Sequence, residues 1–163
     1  MNYTSFIENK IVRQKEELQN LLHIWKFQGK KIVFTNGCFD ILHKGHVEYL
    51  AKAAEFGNIM IIGLNTDSSV KRLKGEHRPI NDQEARAKVL ASLQFVDKVV
   101  FFDEDTPLKL IDFIIPDILV KGSDYKPEDI VGYDTVTSHG GEVKTVDLTA
   151  GYSTTLIIEK SKK

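Results

Sequence analysis

Two runs in this chain are apolar at every position, Ile59-Met60-Ile61-Ile62 and Ile118-Leu119-Val120. A strand with one face in water alternates apolar and polar residues, whereas a strand apolar throughout has both faces covered. The two runs lie in predicted strands Asn58–Leu64 and Asp117–Lys121, and further strands are predicted over Lys31–Thr35, Lys98–Phe102 and Glu142–Val146. Helices are predicted between them at His46–Phe56, Gln83–Gln94 and Pro107–Ile114, with a shorter piece near Tyr133–His139 and a last helix at Ser153–Lys160. Asn81 or Asp82 can cap the second of these, and Thr106-Pro107 gives the third a cap plus Pro at its first position. Strands alternating with helices imply an α/β, Rossmann-like doubly wound parallel sheet of about five strands flanked by helices. An extra N-terminal helix is predicted over Thr4–Gln28, from apolar residues at Ile7, Ile11, Leu18, Leu21 and Trp25 and a terminating Gly29. The organisation read from this pattern is an N-terminal helix, 1–29, on a single domain, 30–163. The apolar stripe of that helix packs on its own domain or offers a homodimer interface.

Composition removes several function classes. A length of 163 residues suits one domain with one core. A net charge of −1 provides no basic surface for nucleic acid and no polybasic face for a membrane. The first residues, MNYTSFIENK, lack a basic-then-apolar leader pattern, and the apolar runs are too short to cross a bilayer. The single cysteine, Cys38, has no internal disulfide partner and reads as a reduced, cytoplasmic thiol.

In doubly wound sheets, ligands bind outside the carboxyl ends of the strands. The segments after the predicted strands are Asn36-Gly37-Cys38-Phe39-Asp40, Asn65-Thr66-Asp67, Asp103-Glu104-Asp105, Gly122-Ser123-Asp124 and Thr149-Ala150-Gly151. Polarity is common to all loops, but His, Lys and Asp are concentrated here. His43 and His46 bracket Lys44-Gly45 where the first helix begins, so imidazoles, an ammonium and free backbone N–H groups meet at a strand-to-helix junction. Such a junction holds anions, phosphate first among them. Gly45 removes a side chain where backbone would approach a ligand. Surface histidines are the plain alternative, and a zinc site with Cys38 lacks a fourth ligand at the usual spacing. A covalent role for Cys38 would need a positioned base, and a small residue filling a tight turn explains it without one.

NGCFDILHKGH resembles the HxGH signature of the nucleotidylyltransferase superfamily. GYSTTLIIEK resembles its second signature, about a hundred residues downstream, at the start of the last helix. FTNGCFDILHKGH, LNTDSSVKRLKGEHRPIN, EDTPLKLI, PDILVKGSDYKPEDI and GGEV are most similar to the adenylyltransferase domain of bacterial ADP-heptose synthesis. The similarity runs from about Lys31 to about Lys160. It implies transfer of AMP from ATP to D-glycero-β-D-manno-heptose 1-phosphate, with release of pyrophosphate. Some relatives fuse this domain to a heptose-phosphate kinase, and this sequence reads as the free-standing form. The cytidylyl branch carries RTEGISTT where this chain has LTAGYSTT, so Leu148 replaces an arginine and argues against that branch.

The resemblance also distributes roles. His43, His46, Lys44 and Arg78 are expected to be catalytic. Asn36, Gly37, Cys38, Phe39, Asp40, Gly45, Lys121, Gly122, Asp124, Gly151, Ser153, Thr154 and Thr155 are expected to bind the nucleotide. Asn65, Asp67, Lys71, Lys74 and Arg86 are expected to meet the acceptor's phosphate and sugar. On the residues alone, Lys71–Lys74 also reads as a solvated basic face, Arg86 as an exposed helix arginine, Asp67 and Asp124 as turn caps, and Ser153 as an N-cap. Mg²⁺ is expected on the ATP oxygens rather than in a protein cage.

Rival readings keep nucleotidyl transfer but change the acceptor to glycerol 3-phosphate, phosphopantetheine or FMN, or drop turnover and leave a nucleotide-binding protein. A dinucleotide oxidoreductase and a P-loop kinase are disfavoured because neither GxGxxG nor GxxxxGK[ST] follows the first strand.

Overall fold

A computed structural model describes residues 2–161. Its strands are β1 (Ile11–Val12), β2 (Ile32–Gly37), β3 (Ile59–Asn65), β4 (Lys98–Phe102), β5 (Ile118–Gly122) and β6 (Glu142–Val146). They form one sheet in the order β1-β4-β3-β2-β5-β6, with every neighbouring pair parallel. The helices are α1 (Tyr3–Glu8), α2 (Lys15–Phe27), α3 (Lys44–Ala54), α4 (Asp67–Lys74), α5 (Gln83–Ala91), α6 (Leu108–Ile114), α7 (Tyr133–Ser138) and α8 (Thr154–Ser161). A short 3-10 turn, Pro127–Asp129, precedes α7.

The apolar runs are buried on both sides, as their lack of alternation requires. Along β3, Met60, Ile62 and Leu64 join a cluster with Leu50 of α3 and Ala87 and Leu90 of α5. Ile61 points the other way, into a cluster with Leu18 and Leu22 of α2 and Ile111 and Ile114 of α6. From β2 the chain winds outward through β3 to β4, then returns to place β5 against the other side of β2. The switch point therefore lies between β2 and β5, where the strand ends splay and a crevice opens.

The N-terminal expectation is corrected. No single helix spans Thr4–Gln28; α1 and α2 are separated by β1, which makes the sheet six-stranded. Ile11 pairs with Val99 and Val12 with Val100. An extended backbone sends Ile11 into one core cluster and Val12 into the other. These adjacent β-branched residues favour the pleat, and their pairing covers the otherwise open edge of β4. Lys10 donates to the Leu93 carbonyl at 3.1 Å and Lys98 to the Asn9 carbonyl at 2.5 Å, fixing the strand's entry.

Three local departures have capping causes. The basic run Lys71–Lys74 belongs to a helix, α4, capped by Thr66 Oγ1, which accepts from the Ser69 amide, and ended at Gly75 with φ 99°. Asp82 rather than Asn81 caps α5, its Oδ1 accepting from the Ala85 amide at 2.8 Å. The helix expected from Pro107 begins at Leu108, with Pro107 in the cap position and Thr106 outside it.

Ile11→Ala should lower stability by about 2–5 kcal/mol, the usual cost of truncating a buried Ile. Urea unfolding measures this, and an unchanged midpoint would mean that β1 contributes no core.

Candidate active site

Two adjoining clefts open over the carboxyl ends of β2 and β5. The first, about 350 Å³, is lined on one side by Asn36, Gly37, Cys38 and Phe39 from the end of β2 and by His43, Gly45 and His46 from the start of α3. Lys121, Gly122 and Asp124 follow β5, and Tyr152, Ser153 and Thr154 come from the start of α8. The second, about 410 Å³, adds Asp40, Asn65, Leu73, Lys74 and Asp105. Asn36, Gly37, Cys38, Phe39, His46, Lys121 and Thr154 line both. The histidine pair and the hydroxyls of the last helix thus meet on one side of the molecule.

The loop after β2 is shaped by a reversal at Phe39, whose φ is 43°. Its ring folds back so closely that a Cβ at position 37 would lie 2.9 Å from it, which leaves glycine the residue that fits. The ring then meets His46 edge-on at 5.2 Å. His43 caps α3, with Nδ1 accepting from the His46 amide at 3.4 Å. A neutral His43 accepting at Nδ1 carries its proton at Nε2, so it faces a ligand as a donor. The two imidazoles stack with centroids 3.7 Å apart. Gly45 makes room for them, since a Cβ there would lie 3.2 Å from the His43 ring and 3.4 Å from the Tyr152 Cβ.

Burial, then the neighbouring His43, pushes His46 down to about 4, against an opposing pull from the Ile41 backbone. Burial lowers His43 as well. Both rings are therefore neutral at pH 7 and act as hydrogen-bond donors rather than cations. The buried His46 Nδ1 and Asn36 Oδ1 have no hydrogen-bond partner among the described residues.

The start of α8 is held against α3. Thr149 donates to Glu48, Lys44 pairs with Glu48 at 3.5 Å and lies 5.5 Å from the Tyr152 ring centre, and Thr154 donates to the Ile41 carbonyl at 3.5 Å. Ser153 caps the helix, its Oγ accepting from the Leu156 amide at 3.1 Å.

Two expected ligand residues turn inward instead. Asp40 is buried, and its carboxylate accepts from the amides of Ile80 and Asn81 and from Arg78 Nε at 2.6 Å. Burial pushes this carboxyl up, but those amides and the guanidinium outweigh it and hold the group below the usual carboxylate range. Asp40 therefore anchors the 78–81 loop beside the second cleft. Arg86 turns inward more fully. It is only 2% exposed, and four of its five N–H groups bond to protein: Nε to the Asn81 carbonyl at 3.0 Å, Nη1 to the Cys38 and Asn65 carbonyls at 2.7 and 2.9 Å, and Nη2 to Asp67 Oδ1 at 2.8 Å. These bonds all go to protein groups and tie together the segments that border the two clefts. A signal for this stood in the sequence, because Arg86 lies four residues before Leu90 and beside Ala87, on the buried side of α5.

Asp67 accepts from Arg86, and Lys44, Lys71, Arg78, Gly151 and Thr155 do not line either cleft. Tyr125, Leu148, Thr149 and Tyr152 line the first cleft and Leu73, Phe102, Asp105 and Pro107 the second without having been singled out as ligands. They are apolar or ordinary loop residues, and only chain convergence reveals them.

A family model described as cytidylyltransferase-like matches residues 34–160, which take in both clefts. The chain belongs to the cytidylyltransferase-like family. Among cytidylyltransferase-like relatives, the bifunctional protein HldE of Syntrophotalea carbinolica is 54% identical over 149 residues, which cover 91% of this chain and 30% of that protein. HldE of Campylobacter jejuni subsp. jejuni serotype O:2 is 57% identical over 153 residues, covering 94% and 32%. The chain thus spans 30–32% of the length of these curated relatives. The crystal structure of a lipopolysaccharide core biosynthesis protein from Thermoplasma volcanium superposes with a TM-score of 0.61 at 28% identity, covering 74% of this chain and 98% of that one. A pantoate-beta-alanine ligase from Francisella tularensis, at 15% identity and a TM-score of 0.63, covers 93% and 76% and shares the fold alone.

Removing the Arg86 guanidinium would strand buried acceptors on three loops. Arg86→Met should cost about 3–5 kcal/mol, the penalty for breaking a buried charged network, measured by denaturant unfolding. His46 supplies a pH signature. Unfolded, it takes a proton near 6.5; folded, near 4. The unfolded chain binds more protons in that window, so this contribution is complete above 6.5 and is lost as pH falls toward 4. The melting temperature of His46→Gln should decline less steeply from pH 7 to 4 than that of the parent; parallel declines would refute the assignment.

Proposed function

We propose that this chain is a nucleotidyltransferase that moves AMP from ATP to D-glycero-β-D-manno-heptose 1-phosphate, giving ADP-heptose and pyrophosphate. The observation that carries this reading is the meeting of the His43–His46 pair and the Ser153–Thr154 helix start in one cleft that opens directly into a second. ATP occupies the first, with its phosphates at the helix starts. The sugar phosphate occupies the second, beside Asn65 and Lys74. The similarity to HldE along nearly the whole chain supports the heptose acceptor.

The acceptor phosphate has a second pKa of about 6 and is largely dianionic at neutral pH, so it needs no general base. The barrier is repulsion: each pair of like unit charges 4 Å apart costs about 4 kcal/mol at an effective dielectric of 20. Catalysis is therefore positioning and charge stabilisation. Neutral imidazole N–H groups of His43 and His46 donate to oxygens at the α-phosphorus. Lys71, Lys74 and Arg78 approach from α4 and its following loop to offset the charge of acceptor and pyrophosphate, and Lys44 meets the triphosphate from its helix start. Gly151 and Thr155 flank the phosphate-holding start of α8, and Asp67 and Asp124 accept from sugar hydroxyls. Mg²⁺ enters as part of the ATP substrate, held by phosphate oxygens. Among the described residues no three His, Cys, Asp or Glu side chains converge to hold a metal, and the second-cleft acids Asp40 and Asp105 are already bonded to Arg78 and Arg72. No described helix is long and apolar enough to cross a membrane, and the reaction fits the cytoplasm, where ATP is supplied.

Mass spectrometry after incubation with ATP, Mg²⁺ and the heptose phosphate should reveal ADP-heptose. Product with CTP in place of ATP, or with glycerol 3-phosphate in place of the sugar, would reject the assigned specificity. His46→Ala should lower turnover about 100-fold or more, as expected for losing one preorganised donor, while pyrophosphate release at the parental rate would remove histidine from the mechanism.

A further inference from the structure

The two clefts share few side chains able to carry positive charge at pH 7. Arg72, Arg78 and Arg86 are each paired with an aspartate, and Lys44 with Glu48. Lys121 is different. It ends β5 and lines both clefts, and no carboxylate lies within ion-pair distance of it among the described residues. Its Nζ donates to one acceptor, the Asn36 carbonyl at 3.3 Å, which leaves two N–H donors unspent. Asn36 and His46, whose Oδ1 and Nδ1 have no partner among the described residues, line both clefts with Lys121. A partly buried ammonium without a counter-ion is costly, and a bound anion removes that cost.

We propose that Lys121 is a catalytic residue, the cation that contacts the transferring phosphoryl group where the nucleotide and acceptor clefts meet. The inference rests on the nucleotidyl-transfer reading above and assigns the reacting centre within it. In the step, an acceptor phosphate oxygen forms a bond to the α-phosphorus as the bond from that phosphorus to the β-bridging oxygen breaks. The electron pair leaves on pyrophosphate, and no proton moves. Negative charge accumulates on the equatorial oxygens, which touch both ligands at once. A group serving them must be shared by both clefts, and Lys121 is the shared lysine. The neutral His46 and Thr154 line the same junction.

The charged and titratable groups around Lys121 are Cys38 on the β2 loop, His46 and Tyr49 on α3, Asp124 on its own segment, and Lys74 across the second cleft. Burial draws the ammonium down to about 8, with Cys38 and Asp124 opposing. The free enzyme accordingly loses the cation as pH rises through that value. Burial raises the Cys38 thiol, and Tyr49 is pushed up to about 12, so neither accounts for a limb near 8.

The experiment compares the parent with Lys121→Met and Lys121→Arg. It measures pyrophosphate release from Mg-ATP and the heptose phosphate, and calorimetric binding of a non-hydrolysable ATP analogue. Lys121→Met should lose about 100-fold in kcat, the scale of one lost charge-stabilising donor, with a much smaller weakening of the analogue's Kd. Lys121→Arg should regain part of the turnover, and the alkaline limb of kcat/KM should move from near 8 to higher pH. Near-parental kcat in Lys121→Met, or a loss confined to analogue affinity, overturns the proposal and leaves Lys121 a nucleotide ligand. If Lys121→Met does not fold, the arginine variant decides: an alkaline limb unmoved from the parent's overturns the proposal. A parent enzyme that releases no pyrophosphate refutes the functional reading instead, which separates the two failures.

Discussion

The Arg86 guanidinium is the interaction on which the site's architecture depends. It lies in the core side of α5 and bonds to carbonyls at Cys38, Asn65 and Asn81 and to the Asp67 carboxylate. Those four positions lie in the loop after β2, at the end of β3 and the start of α4, and in the loop before α5. Each loop would otherwise present unsatisfied carbonyls near a partly dry cleft, at a cost of about 1–3 kcal/mol apiece. One planar, permanently charged donor set resolves them together, in a geometry that a lysine cannot reproduce. Asp40 completes the arrangement from the opposite sign, collecting the amides of Ile80 and Asn81 and the Arg78 guanidinium. The cleft walls are thus pre-set by two buried charges that face protein rather than ligand.

This division explains what the sequence made legible. The doubly wound sheet could be read from Ile59–Ile62 and Ile118–Val120 because burial on both faces leaves a one-dimensional trace. The His43–His46 pair and the Ser153-Thr154 pair could be read because glycine and capping chemistry fix them locally. The inward course of Arg86 is not legible, because a guanidinium facing loop carbonyls and one facing phosphate look alike in a string of letters; only its register with Ala87 and Leu90 points inward. The edge strand Ile11-Val12 was hidden for a related reason. Ile11 fits a helical stripe with Ile7, and the competing β pairing depends on Val99 and Val100, nearly ninety positions away. The aromatic and aliphatic lining, Tyr125, Leu148 and Tyr152, carries no motif and emerges only from convergence.

The electrostatics of the clefts follow from the same sorting. Desolvation makes both imidazoles neutral, so they add no charge to the clefts. Arg72 and Arg86 are paired with aspartates and spend their charge on holding loops. In the proposed reaction, attraction for two phosphorylated ligands falls to exposed Lys71 and Lys74 on α4, to Arg78 after it, and to the interior Lys121. Exposed lysines are screened and contribute modestly, at the scale of about 0–1 kcal/mol known for surface ion pairs. An interior ammonium is screened less, and its field is stronger where water is excluded. In the proposed reaction, a cleft built in this way binds through its rim and reacts at its floor. The floor is the switch point between β2 and β5, where the sheet's winding leaves room for two ligands to meet end to end.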